Sequence, residues 1–263
     1  MAEIKLSFLV ICQDEINLID QCFHLMQKIG ESINGEFEII AVDGGSSDGT
    51  LERIISYNDP RIKLFRNPWP GYATQRTYAR NKASGEWLWR FDVDDSISDN
   101  IYDILNSLLS VGEEIKAYSF PKIHLVGDQK YMYNKNLDPS IFLFRNDPLL
   151  GWYEKGGLEG LSYGTIPILQ HPSHFNFPWQ VYEPRILMVH FAELKSFEDR
   201  VKKTLGYAQL KGSFWYKRPE EWIRERLKSQ LFDTSNPVSL KMLEADICLV
   251  SKRFPDLTFY SEF

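Results

Sequence analysis

Four apolar runs, at residues 6–12, 37–42, 62–65 and 87–91, each with a single polar residue, divide the first hundred residues of the chain. None alternates apolar with polar, the pattern expected of short strands buried on both faces. Between them the apolar positions shift to helical spacing. Ile16, Ile19, Phe23 and Met26 mark one helix that Gly30 is expected to stop. Leu51, Ile54 and Ile55 follow Asp48, a good N-cap, and Asp59-Pro60 breaks that helix. A third helix is predicted over 74–83, ending before Gly85. Strands alternating with helices imply a mostly parallel sheet with helices on both faces. Right-handed crossovers then gather the carboxyl ends of the strands on one edge.

Beyond Asp95 the pattern changes. Ser98 or Asp99 is placed to cap a helix running to Leu109. Runs at 117–126 and 130–133 read as strands joined in a hairpin at Gly127-Asp128, and 141–144 as another strand. Residues 151–184, rich in Gly, Pro, His and aromatics, read as a long irregular functional loop. A last strand is expected at 186–190. Ser196 and Asp199 form a capping-box pattern opening a helix to about Lys211, and further helices are expected from Pro219 and over 239–253. The expected division is therefore an α/β domain at 1–195 (halves 1–100 and 101–195) and a helical carboxyl-terminal extension at 196–263.

Composition narrows the function classes. A net charge of -6 argues against a general grip on nucleic acid or anionic lipid. Aromatic residues reach 14 %, enough to line a sugar site or to fill a large core. Cys12, Cys22 and Cys248 show no metal-type spacing and read as reduced thiols. No apolar run approaches the ~20 residues of a membrane span, and the first residues lack the layout of a signal peptide. The expectation is a cytoplasmic protein.

The chemistry concentrates where apolar runs meet acids. Asp92-Val93-Asp94-Asp95 closes the fourth strand. Alternation along a strand would turn Asp92 and Asp94 to one side, where a hard cation relieves their repulsion and grips a diphosphate; an acidic turn capping the next helix is the plainer alternative. Asp43 closes the second strand ahead of Gly44-Gly45-Ser46-Ser47-Asp48-Gly49-Thr50, whose glycines allow a tight turn and close approach of a ligand. In an open α/β sheet both segments would face the same crevice.

The motifs, in this order, resemble those of the inverting family 2 glycosyltransferases, which have the GT-A fold, a Rossmann-like three-layer sandwich. The resemblance runs from Val10-Ile11-Cys12-Gln13-Asp14-Glu15 through the Asp43 segment, Gly71-Tyr72-Ala73-Thr74-Gln75-Arg76 and Gly85-Glu86-Trp87 to the acidic motif. It is closest in style to enzymes that add glucose or similar sugars to lipopolysaccharide cores. It implies that Gln13, Glu15, Asp43, Arg76 and Asp92 contact the nucleotide. It also implies that Asp92, Asp94 and His190 hold Mg²⁺ or Mn²⁺, and that a loop carboxylate is the catalytic base. Glu154, Glu159 and Glu183 are the candidates, Glu159 fitting the position best. Asp14 departs from the usual Asn, and Thr77 stands where Asn often follows the Arg. Trp152, Tyr153, Phe175, Phe177 and Trp179 either stack on acceptor sugars or pack the loop down.

The function implied is transfer of a sugar from a nucleotide diphosphate to a hydroxyl of a glycan or glycolipid, without nucleic acid. Peripheral membrane contact through Phe214-Trp215-Tyr216-Lys217-Arg218 and Trp222 is the alternative to their packing on the core. Two other functions share such a fold: sugar nucleotidyl transfer, and non-catalytic glycan binding. The first usually carries a Gly-rich basic segment after strand one; Gln13-Asp14-Glu15-Ile16-Asn17 is acidic and has no Gly.

Overall fold

The computed structural model describes residues 3–126, 131–132, 139–155 and 158–190. The expected helices beyond 196, the Gly127-Asp128 turn and the Trp215 segment lie outside them.

The predicted β-α-β-α-β-α-β series is present: β1 (Ile4–Cys12), α1 (Ile19–Glu31), β2 (Glu36–Asp43), α2 (Thr50–Ser56), β3 (Ile62–Arg66), α3 (Tyr72–Arg80) and β4 (Trp87–Phe91). Then come β5 (Asp95–Ile97), α4 (Ile101–Leu109), β6 (Ala117–Phe120), β7 (Lys122–Val126), β8 (Tyr131–Met132) and β9 (Ser140–Arg145). They are followed by β10 (Leu150–Lys155), β11 (Leu158–Tyr163), β12 (Ile166–Pro167), β13 (Gln180–Tyr182) and β14 (Met188–His190).

The main sheet has the order β13-β6-β9-β4-β1-β2-β3. Its β4-β1-β2-β3 half is parallel, and β9 runs antiparallel to both β4 and β6. Alternate residues of β1 serve opposite faces, as strand geometry demands. Leu6, Phe8, Val10 and Cys12 join α1, Ile54 of α2 and the apolar side of α4 in one core. Leu9 and Ile11 join Ala79 of α3 with Leu150 and Leu161 of the β10-β11-β12 sheet in the other. This is the expected three-layer sandwich.

Much of the aromatic content goes into the core. Trp87, Trp89, Phe8, Phe91, Phe120, Phe142 and Phe144 are fully buried, with Phe8 stacked on Trp89 at 5.7 Å.

Several expectations are corrected. Gly30 does not stop α1; it lies inside the helix, where a Cβ would stand 2.5 Å from the buried Phe37 ring, so it serves helix–sheet contact. The run 117–126 is split at Pro121, which has no N–H for a ladder; β6 stays in the main sheet while β7 pairs with β14 and β8. Residues 151–184 are not one irregular loop. They contain β10, β11, β12 and β13, because Trp152 and Leu161 pack into the second core and bring order with them. Trp152 meets Phe144 edge to face, and Phe177 stacks on Trp179 at 4.7 Å, so these rings pack the segment down.

A buried polar network ties the edge of the sheet away from the strand carboxyl ends. Glu38 of β2 accepts from Ser7 Oγ at 2.6 Å and from the Ser84 amide at 2.6 Å, and pairs with Lys63. Gly85 donates its N–H to Ser7 Oγ at 2.8 Å. A Cβ on Gly85 would lie 2.7 Å from the Ser7 backbone nitrogen, so only glycine fits. Burial raises the pKa of Glu38, but the bonds from Lys63, Ser7 and Ser84 outweigh it and hold it below the ordinary 4.5.

This network therefore adds stability that is present above about pH 4.5 and is lost as pH falls through the lowered folded value. Glu38→Gln is expected to lower stability at pH 7. The gap from wild type should narrow as pH drops below 4.5, which urea unfolding at a series of pH values would read.

Candidate active site

The crevice lies at the carboxyl ends of β1, β2 and β4, with β1 central: Cys12 is in register with Asp43, and Val10 with Phe91. The loops after β1 and β2 are bonded to each other. The amide of Asp14 donates to Ser46 Oγ at 2.9 Å, and Asp14 Oδ1 accepts from the Ser47 amide at 2.7 Å. The amides of Glu15 and Ile16 donate to Thr50 Oγ1 and Asp48 Oδ2. Asp14 adopts φ 55°, a left-handed conformation that Asp and Asn tolerate best, so Asp in place of the family's Asn keeps the turn.

Asp43 is fully buried and accepts from the amides of Gly45 (3.0 Å) and Ser46 (3.2 Å). Gly44 is pressed on the Trp69 ring, where a Cβ would come within 2.6 Å. Gln13 is exposed at the mouth and Glu15 half-buried. Asp48 accepts from the Thr50 amide at 3.0 Å, as a cap should, although Gly49 at φ 100° is the residue preceding α2. Cys12 lies beneath this loop. Burial first, then Asp43, Glu15 and Asp48, push its thiol far above the usual range; Cys22, buried in the first core, is likewise pushed up by burial. Both are inert free thiols.

Beyond Phe91 the fourth strand stops. Asp92 to Asp95 form a turn closed by the Asp95 N–H donating to the Asp92 carbonyl at 3.0 Å, so the strand alternation expected of Asp92 and Asp94 does not apply. Val93 packs into the first core. β14 runs antiparallel to β5, with His190 opposite Asp95. His190 Nδ1 consequently lies 2.7 Å from Asp95 Oδ1 and 3.5 Å from Asp94 Oδ1. Asp92, Asp95 and His190 each offer a ligand atom, all within 4.8 Å of one another.

Among the described residues, three cations face these acids. Arg76 of α3, only 3 % exposed, ion-pairs with Asp92 and brings Nε within 3.6 Å of Glu159 Oε1. Arg90 of β4 reaches Asp92 at 3.8 Å and Glu159 at 4.0 Å. Lys122 of β7 reaches Asp95 at 3.2 Å and Asp92 at 3.7 Å. Burial alone raises the Asp92 pKa. Arg76, then Arg90, Lys122 and His190, overcome that and hold its carboxyl well below the usual carboxylate range.

Of the residues singled out in the sequence, Arg76, Asp92, Asp94, Glu159 and His190 come together here. Gln13, Glu15 and Asp43 stand at the neighbouring strand ends. Glu183 does not join them: it is buried in an ion pair with Arg185 at 2.6 Å. Glu154 is exposed, directly across the β10–β11 ladder from Glu159. The sequence reading missed Asp95, Arg90 and Lys122. Asp95 stood in the acidic motif itself, and Arg90 was the charged residue inside an apolar strand. Lys122 was likewise a lone strongly basic residue in an apolar run, but its place at the site depends on the turn of the chain at Pro121.

A mostly parallel sheet with a crevice at its strand ends, flanked by an acidic turn and a small antiparallel sheet, defines the GT-A fold. The chain belongs to glycosyl transferase family 2, whose model matches residues 7–158. It is 30 % identical over 118 residues to the lipopolysaccharide core biosynthesis glycosyltransferase LpsC of Rhizobium meliloti (strain 1021), covering 44 % of this chain and 41 % of that one. It is 23 % identical over 129 residues to the uncharacterized glycosyltransferase RT0209 of Rickettsia typhi (strain ATCC VR-144 / Wilmington), covering 48 % and 41 %. The chain thus spans about two fifths of the length of the curated relatives it matches. Among solved structures it resembles S. aureus TarS in fold, with a TM-score of 0.50 at 16 % identity, covering 86 % of this chain and 43 % of that one.

Removing Arg76 leaves Asp92 and Glu159 in the site with less compensation. Arg76→Ala is expected to cost about 3–5 kcal/mol, read by urea unfolding. Adding Asp92→Asn to that variant should recover part of the loss.

Proposed function

We propose that this domain transfers a sugar, with inversion, from a nucleotide diphosphate donor to a hydroxyl of a glycan or glycolipid, with Mg²⁺ or Mn²⁺ bound at the acidic turn. The observation that carries the proposal is the convergence of Asp92, Asp95 and His190 within 4.8 Å at the carboxyl end of β4, beside the Asp43 loop. These residues fit a hard divalent cation. The donors are carboxylate oxygens with one imidazole, and Asp95 Oδ2 is buried with no hydrogen-bond partner among the described residues. Asp92, Asp95 and His190 would hold the ion, with Asp94 alongside. Once bound, it would neutralise charge on the departing diphosphate.

The remaining roles follow from charge and position. Asp43, Glu15 and Gln13 line the nucleoside side of the crevice, where the bonded β1 and β2 loops form a rigid floor. Arg76 joins the two halves of the site: its guanidinium bridges Asp92, on the donor side, and Glu159, the proposed base. Glu159 takes the proton of the acceptor hydroxyl as that oxygen attacks the anomeric carbon. The arginines fix its direction. The match to LpsC supports a saccharide acceptor of the lipopolysaccharide-core kind.

A thermal-shift panel of nucleoside diphosphates, with and without Mn²⁺, tests this. One nucleotide should stabilise the protein only with metal, by about 2.7 kcal/mol at a hundredfold excess over its Kd, and Asp95→Asn should abolish the metal dependence. Diphosphate release from a nucleoside triphosphate and a sugar phosphate would instead identify a nucleotidyltransferase. Glu159→Gln should lower kcat by about 10²–10⁴-fold while leaving nucleotide stabilisation intact; unchanged turnover would remove it as the base.

A further inference from the structure

We propose that Lys122 is an internal counter-cation, holding Asp92 and Asp95 in the donor-free protein and competing with the divalent ion for them. This rests on the metal-bound donor site proposed above. The Lys122 side chain is 6 % exposed, with Nζ 3.2 Å from Asp95 Oδ1 and 3.7 Å from Asp92 Oδ2. The ring of Phe142 backs it at 5.3 Å and also carries Arg90 at 5.0 Å. The two carboxylates that Lys122 bridges are those that, with His190, offer ligand atoms within 4.8 Å.

An ammonium so placed and a divalent ion bound to the same oxygens would repel strongly in a poorly solvated site. The ion enters only as Lys122 leaves. The charge around the turn makes this exchange depend on the donor. Arg76, Arg90 and Lys122 already face the carboxylates of Asp92, Asp95 and Glu159, with His190 beside Asp94 and Asp95. Exchange of Lys122 for a divalent ion adds one net positive charge, which a diphosphate compensates when it arrives. The diphosphate then offers Lys122 new oxygen partners and adds ligands for the ion. Metal and nucleotide bind cooperatively, and metal alone binds weakly.

The test is titration of the full chain with Mn²⁺ in the absence of nucleotide, by calorimetry, for wild type, Lys122→Met, Lys122→Arg and Lys28→Met. Lys28 is an exposed residue of α1, its ammonium 5.4 Å from the Tyr102 ring centroid, and serves as a control for loss of a positive charge outside the acidic turn. Lys122→Met should bind Mn²⁺ roughly tenfold more tightly than wild type, the size of an ordinary coupling between sites. Lys122→Arg and Lys28→Met should stay near wild type. Mn²⁺ should also raise the Tm of Lys122→Met more than that of wild type, a readout that survives if the variant is less stable.

Equal or weaker Mn²⁺ binding by Lys122→Met, or equal tightening by Lys28→Met, would overturn the proposal. The same titrations with a nucleoside diphosphate separate the two readings. Metal-linked nucleotide binding in wild type with no effect of Lys122→Met refutes only the role of Lys122. Absence of that linkage in wild type refutes the donor site itself.

Discussion

Carboxylates crowded at the end of a buried strand set the terms for this molecule. Asp92, Asp94 and Asp95 lie on one turn and Glu159 approaches from another sheet. Burial alone would drive Asp92 toward its neutral form, yet the surrounding cations keep it ionised. That compensation comes from three separate elements: Arg76 on α3, Arg90 on β4 and Lys122 on β7. Because each cation arrives from a different part of the chain, the site exists only when the layers are assembled.

The layers serve that assembly. The parallel half of the main sheet carries β1, β2 and β4 to a common edge, where the loops after β1 and β2 are bonded into one floor. α3 lies across the second face of that sheet, packed against β10 and β11, and so delivers Arg76 between Asp92 and Glu159. β14, paired with β5, delivers His190 to Asp95. The opposite edge is fixed by Glu38 and by the close approach of Gly85 to Ser7, well away from the chemistry. No helix among the described residues is long and apolar enough to cross a membrane.

Much was legible along the chain because local rules decide it. Apolar runs set the strands of the parallel half nearly to the residue, and β4 coincides with its predicted run. The acids at the ends of β2 and β4 stood out because they close apolar runs, whereas Arg76 was marked only by the family resemblance of the segment Gly71–Arg76. The three-layer architecture followed from strand–helix alternation.

What the sequence could not decide was everything settled by distant partners. Gly30 looked like a helix stop until the Phe37 ring appeared against it. Residues 151–184 looked irregular because Gly and charged residues interrupt the apolar pattern of β10 and β11, which are ordered by packing on Phe144 and the second core. The alternation argument placed Asp92 and Asp94 together, but the chain turns at Asp92 and gives Asp95 the contact with His190. Lys122 stood as a charged residue in an apolar run, but nothing along the chain tied it to the acids. Composition and periodicity report which face a residue shows to its own element, whereas an ion pair between β7 and the turn after β4 depends on where the chain goes after Pro121, and only the folded layers fix that.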